Sequence, residues 1–226
     1  MKIERLNWDS EFFGYSIGKL TLVNKEKPDE SIMDLLKPYK LIYVFTESSL
    51  PPDFPGALVD TKILFEKTIT ENSKPIDTIV GFDSNYLYEE LLELAFLSGT
   101  YSRFKTDQNF KRNEFSKLYK EWIDKSLAND NICTLIKPVN RHVGGFITVD
   151  LNNQYFAQIG LVAVSDKYQG KGIGSLLLSA SEYLAYKKGF SKIKVATQKL
   201  NTAAMNLYSK NGYVQSSSTF IYHLWM

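Results

Sequence analysis

The chain has 226 residues, 44% of them hydrophobic and 14% aromatic, which supplies a substantial core and excludes wholesale disorder. Its 27 Lys and Arg against 25 Asp and Glu leave a net charge of +2, so there is no global electrostatic case for nucleic acid or an anionic membrane, and any anion site must be local. The single cysteine, Cys133, excludes an intrachain disulfide. In its apolar run "NICTLI" it reads as a small core residue. With only His142 and His223 beside it in the inventory, a Cys/His metal site has too few members, and no metal is expected. No apolar run is long enough to span a bilayer, and "MKIERLNWDSEFFG" lacks the apolar centre of a signal peptide. The expectation is a cytoplasmic protein with a small-molecule substrate and with neither nucleic acid nor membrane as partner; a homodimer is one expected assembly.

Taken in chain order, "KIERLNW" and "SIGKLTLV" read as strands and "DESIMDLLKPY" as a short helix. "LIYVFTE" and the longer "ALVDTKILFEKTI" read as strands, separated by the turn cluster "SSLPPDFPG". The polar stretch 70–78, "TENSKPIDT", is the expected domain boundary. It divides a small N-terminal α/β domain, 1–72, from a larger domain, 78–226. "SNYLYEELLELAFLSG" has helical spacing with Ser84 as its expected N-cap. Over 110–128, Phe115, Leu118, Tyr119, Trp122 and Ile123 recur at helical steps with the charges on the other face. "NICTLIKP", "HVGGFITVDL" and "QYFAQIGLVAV" read as an antiparallel meander. A helix comes next, with Ile173, Leu176, Leu177, Ala180 and Leu184 on one face. Then come a strand, "SKIKVATQ", a helix from Asn201 to a left-handed cap at Gly212, and one or two closing strands. The class is mixed α/β or α+β around a sheet with a parallel section.

The stretch "SDKYQGKGIG" puts Gly170, Gly172 and Gly174 at the entrance of a helix. It is not a Walker loop, because Lys171 is followed by Gly172 rather than Ser or Thr. It is not a dinucleotide fingerprint, because Ser175 stands where the third glycine belongs. The physics shared by those loops survives. Free N–H groups at a helix start attract an anion, and glycine lets a ligand approach the backbone. Lys171 adds a charge, and a pyrophosphate is the natural guest. The plainer reading is a glycine-rich turn that only starts a helix.

The stretch from 159 to 189, a strand, then Gln169-Gly170-Lys171-Gly172-Ile173-Gly174, then an amphipathic helix, resembles the GNAT acetyltransferases. The segment after it carries the same resemblance: a strand, Asn201, a helix holding Tyr208, and the pair Gly212-Tyr213. The resemblance covers about residues 78–226. It implies the GNAT acyl-CoA N-acyltransferase fold with a mixed central sheet, and leaves 1–72 as an added α/β region, with a truncated unit of the same kind as one reading of it. Across nearly the whole chain, "LNWDSEFFG", "SRF", "LYKEWIDKSL" and "VATQKLNTAAMNLYSKNGY" resemble in order the TDP-fucosamine acetyltransferase branch of surface-polysaccharide synthesis. That branch implies a nucleotide-linked amino sugar of the dTDP-amino-dideoxyhexose type as acceptor.

The resemblance implies acetyl-coenzyme A as cosubstrate, held by Gln169, Gly170, Lys171, Gly172, Ile173, Gly174 and Ser175. The strand end with Leu161, Val162 and Val164 would face the pantetheine arm, with the N–H of Leu161 or Val162 polarising the thioester carbonyl. Tyr208 is the expected general acid, since a phenol keeps its proton at neutral pH where a thiol leaves as thiolate; its plainer reading is a packed helix tyrosine. Asn201 is an N-cap, a ligand contact, or both. Tyr101, Arg103 and Phe104 are expected on the acceptor wall, Arg103 pairing with phosphates or serving as an ordinary surface residue. No general base stands out. Three readings stay open: transfer to a nucleotide amino sugar; transfer to a peptide N-terminus, polyamine or antibiotic; and a non-catalytic coenzyme A-binding module. The length of the acyl group is open as well.

Overall fold

The structure, a computed structural model, describes residues 3–22, 35–71, 73–111 and 113–226. Its elements in order are β1 (Ile3–Arg5), α1 (Asn7–Phe13), β2 (Ile17–Leu22), β3 (Leu41–Thr46), β4 (Ala57–Thr68), β5 (Val80–Gly81), α2 (Tyr88–Ser98), α3 (Arg103–Thr106), α4 (Glu114–Ala128), β6 (Ile132–Val139), β7 (His142–Asp150), β8 (Ala157–Val164), α5 (Ile173–Lys187), β9 (Lys192–Gln198), α6 (Thr202–Lys210) and β10 (Val214–Trp225). Between β8 and α5 lies a single 3-10 turn, Asp166–Tyr168. They form two compact units: Met1–Ile63 with Gln198–Leu200 and Ser217–Met226, and Leu64–Thr197 with Asn201–Ser216. The units part inside β4, at Ile63/Leu64, and not in the polar stretch 70–78 beyond its end.

In the first unit the strand order is β1-β2-β3-β10, with β2 and β3 parallel and the other pairs antiparallel. Leu20, Leu22, Ile42, Val44 and Leu224 point into one apolar cluster, as a period-two pattern requires. The stretch expected to be one strand over 2–8 is a three-residue strand and then α1, because "NWDSEFF" turns its apolar side chains to one side and stops at Gly14, left-handed at φ 76°. Ser10 fastens this short helix: its backbone N–H and its Oγ both donate to Leu6 O, and its Oγ accepts from Ile17 N–H. The helix expected over 29–39 falls largely outside the described residues.

In the second unit the order is β4-β9-β8-β7-β6-β5. The expected meander is present, with β6/β7 and β7/β8 antiparallel, and β8/β9 supplies the parallel section. Alternation along β7 serves two layers. Phe146 joins Leu91, Leu94 and Ala95 of α2 and Ile123 of α4 on one face, while neighbouring Gly145 lies against Ile173 and Leu177 of α5. Each of those buried Leu, Ile and Phe side chains contributes up to about 1.5–3 kcal/mol.

Two helix boundaries differ from expectation. α2 starts at Tyr88 and Ser84 is not its cap, because Asp83 Oδ1 accepts from Asn85 N–H and folds 83–86 into a turn. α4 starts at Glu114, whose buried carboxylate accepts from Lys111 N–H at 2.6 Å. At the other end, α6 closes as expected: Gly212 is left-handed at φ 81°, and Tyr213 N–H reaches back to Tyr208 O at 3.0 Å.

Candidate active site

A cavity of about 550 Å³ opens in the second unit. The entrances of α5 and α6, the end of β8 and the end of α2 wall it. Of the residues expected from the sequence, Val162, Val164, Gln169, Gly170, Gly172, Ile173, Gly174, Ser175, Asn201, Tyr208 and Tyr101 line it together. Leu161, Lys171, Arg103 and Phe104 are not among its lining residues.

The entrance of α5 is built to leave donors open. Gly170 and Gly172 are left-handed, φ 73° and 79°, a backbone that costs any residue with a Cβ about 1–2 kcal/mol. Added methyls at either would meet nothing, so these glycines serve conformation and not internal space. Gly172 is the N-cap, and with no side chain it offers no cap hydrogen bond. The first intrahelical bond runs from Leu176 N–H to Gly172 O at 3.1 Å. The N–H groups of Ile173, Gly174 and Ser175 therefore lack helical acceptors, and the positive end of a 15-residue helix faces the cavity. Gln169 does not reach outward: its Nε2 donates to Val164 O and Asp166 Oδ1, fastening the loop to the strand end. Lys171 folds back on Lys167 O and over the Tyr168 ring, at 3.3 and 5.2 Å. Gly174 also has a packing role. A Cβ there would press on both methyls of Leu207 at 3.1 Å, so this glycine lets α5 and α6 approach each other.

The entrance of α6 carries a side-chain cap. Asn201 Oδ1 accepts from Ala204 N–H at 3.1 Å, the N-cap bond. Its Nδ2 takes no partner among the described residues, and Asn201 lines the cavity, so one side chain meets both readings. Tyr208 lies two turns on. It is 2% exposed, held between the rings of Phe65 and Tyr213 at 5.6 and 5.9 Å, and still reaches the cavity. Burial pushes its phenol well above the ordinary value of about 10, so it holds its proton throughout the physiological range.

The strand wall corrects one expectation. Gly160 and Leu161 together oppose Thr148 across a bulge between Ile147↔Val162 and Val149↔Ile159. Thr148 Oγ1 fills that bulge and accepts the Leu161 N–H at 2.8 Å, so Leu161 has no free donor for a carbonyl. Val162 keeps the position. Parallel pairing with β9 covers Ala157–Ile159 only, and the last residues of β8 line the cavity beyond it.

On the α2–α4 loop, Tyr101 is 41% exposed and borders the cavity. Arg103 opens α3 with its guanidinium 4.4 Å over the Phe104 ring. Phe104 is core, 6% exposed, against Phe110 and Trp122 at 5.4 and 6.0 Å, and is not a stacking platform for a ligand. Sequence reasoning missed Leu97, Ser98 and Thr100 at the end of α2, Ala203, Ala204 and Leu207 of α6, and Asp166 and Tyr168 before the loop. Proximity to Tyr101 and Asn201 in the chain was the one signal that pointed to most of them. Among the described residues no group of three or more His, Cys, Asp or Glu is placed to hold a metal ion, and no helix is long and apolar enough to cross a membrane.

Residues 87–213 match the acetyltransferase (GNAT) family. The chain is similar to the dTDP-fucosamine acetyltransferase of Escherichia coli O6:H1, 24% identical, with 97% of each chain covered. It is also similar to the spore coat polysaccharide biosynthesis protein SpsD of Bacillus subtilis, 26% identical over 61% of this chain and 47% of that one. Among solved structures, a GCN5-related N-acetyltransferase from Sphaerobacter thermophilus shares the fold, with TM-score 0.58, 14% identity, and 99% of this chain and 76% of that one covered.

Proposed function

The chain belongs to the acetyltransferase (GNAT) family, and from that premise we propose that it acetylates the amine of a nucleotide-linked amino sugar of the dTDP-amino-dideoxyhexose type. It is an N-acetyltransferase of a family that uses acetyl-coenzyme A. The observation that carries the donor side is the uncapped, glycine-entered start of α5 opening on a cavity that also holds Tyr208. The support for a sugar acceptor is similarity over 97% of the chain to a relative named for dTDP-fucosamine, with a second relative named for polysaccharide biosynthesis. The expected cytoplasmic setting belongs to the same proposal.

The thioester brings an acyl group already activated toward an amine. The chain's own residues then divide the work. The N–H groups of Ile173, Gly174 and Ser175 bind the donor's pyrophosphate, favoured by the helix dipole. Val162 and Val164, where β8 has left β9, offer backbone to the pantetheine arm, and Val162 N–H is assigned to the carbonyl. Tyr208 holds the proton that the departing thiolate requires. Asn201 Nδ2 is directed to the donor arm or the acceptor. Asp166, the one carboxylate among the lining residues, already accepts from Gln169, so water is assigned the amine's proton. Tyr101 and Arg103 are assigned to the acceptor side.

Thiol release from acetyl-coenzyme A, measured with a dTDP-amino-dideoxyhexose, a free peptide N-terminus, a polyamine and an aminoglycoside, tests this. Turnover restricted to the nucleotide sugar is expected. Preference for another amine would replace the acceptor. Coenzyme A binding without turnover on any amine would replace catalysis by a binding role.

A further inference from the structure

Asn211 closes α6, one turn past Tyr208, and its side chain reaches across to the start of α5. Its Nδ2 donates to Leu207 O at 2.7 Å and to Ser175 Oγ at 3.0 Å. The Leu207 carbonyl decides which end of the amide is nitrogen, because only an N–H can face it. Ser175 Oγ, on that same nitrogen, is therefore the acceptor of its bond. The backbone carbonyl of Asn211 accepts from Lys67 Nζ at 2.9 Å, itself paired with Glu182 at 2.7 Å, so the residue is held through its main chain as well as its side chain.

A serine hydroxyl has one proton to give. Nothing among the described residues receives that of Ser175: the carbonyl one turn back, Gly172 O, takes the Leu176 N–H, and Ser175 Oγ makes no bond to it. Ser175 lines the cavity beside the free N–H groups of Ile173 and Gly174. We propose that Asn211 is a positioning residue for donor binding: by occupying a lone pair of Ser175 Oγ, it commits the Ser175 proton to the donor's pyrophosphate. The inference rests on the donor-site reading above. The two helices meet at Gly174–Leu207 and Ser175–Asn211, which sets the phosphate cradle and Tyr208 in one frame.

Asn211→Asp keeps the shape but turns the partner into an acceptor, which draws the Ser175 proton away from the ligand and adds a negative charge. The measurement is calorimetric binding of coenzyme A and of pantetheine, which lacks the phosphates. The wild-type preference for coenzyme A is expected to fall about tenfold to a hundredfold in Asn211→Asp, the range for a hydrogen bond to a charged group with its partner removed. Ser175→Ala is expected to lower it comparably, Ser175→Thr to preserve most of it, and the double variant Ser175→Ala/Asn211→Asp to add little to either. Equal weakening of both ligands by Asn211→Asp, or independent losses that multiply in the double variant, overturns the inference and leaves the donor site standing. A wild-type protein that binds coenzyme A no better than pantetheine removes the donor site and the inference with it. If Asn211→Asp does not fold, Ser175→Ala decides: an undiminished preference for coenzyme A overturns the proposal.

Discussion

The two helices that wall the cavity begin in opposite ways. α6 opens with an asparagine whose Oδ1 satisfies Ala204 N–H from within the chain. α5 opens with a left-handed glycine that satisfies nothing, and three N–H groups are left facing the cavity. A capped start gains about 1 kcal/mol of folding stability, and α5 forgoes it. In the proposed function the open entrance takes the donor, and the capped helix is the rigid base that carries Tyr208 and Asn201. Packing against Phe65 and Tyr213 fixes the Tyr208 ring without spending its hydroxyl.

The largest expected effect lies on α6. Tyr208→Phe preserves the ring contacts and removes one proton donor, so kcat falls about 10²–10⁴-fold with the donor KM little changed. Because burial raises the folded pKa, the acid form persists to higher pH than for a free phenol. The pH profile of kcat is therefore expected to show no falling limb from this group below about pH 10. A falling limb near neutrality that Tyr208→Phe removes would contradict the assignment.

Next comes a change that makes α5 resemble α6. Gly172→Asp puts a negative charge at the N-terminal end of α5, and the donor KM is expected to rise about tenfold to a hundredfold while kcat at saturation holds. Steady-state kinetics with varied acetyl-coenzyme A checks it. An unchanged KM in a folded variant would mean that the entrance is only a turn.

Gly174→Val separates packing from binding at the same entrance. Its added methyls meet Leu207, so a loss of about 1–3 kcal/mol is expected, read as a drop of several degrees in Tm. Full stability with lost donor affinity would restore Gly174 to the ligand-approach role expected from sequence. The smallest effect divides the roles of Asn201. Asn201→Ala should cost about 1 kcal/mol as a lost cap, whereas Asn201→Asp keeps the accepting oxygen and the stability but loses the Nδ2 donor. If both variants are equally stable and equally active, the free amide nitrogen has no function.

These outcomes also show what one chain of letters carries. The spacing of Gln169 to Gly174, the amphipathic helix behind it and Asn201 at a helix start are local patterns, and local geometry delivered them. What escaped was set by tertiary neighbours. Leu161 lost its role to Thr148, thirteen residues earlier and across a bulge that no alternation pattern announces. Phe104 sits in an exposed-looking loop sequence but is drawn inward by Phe110 and Trp122. Gly174 repeats the spacing of two conformational glycines yet answers to Leu207. The seven residues of α1 are too few for a helical period to stand out against a strand reading, and their anchor is Ser10 reaching both Leu6 and Ile17.

The contrast between the two entrances is tested most directly by amide hydrogen exchange with and without coenzyme A. The N–H groups of Ile173, Gly174 and Ser175 are predicted to gain strong protection on binding, because the ligand supplies the acceptors the helix lacks. Ala204, already bonded to Asn201, is predicted to gain little. Equal protection at both entrances, or none at α5 while coenzyme A is bound, would contradict the account.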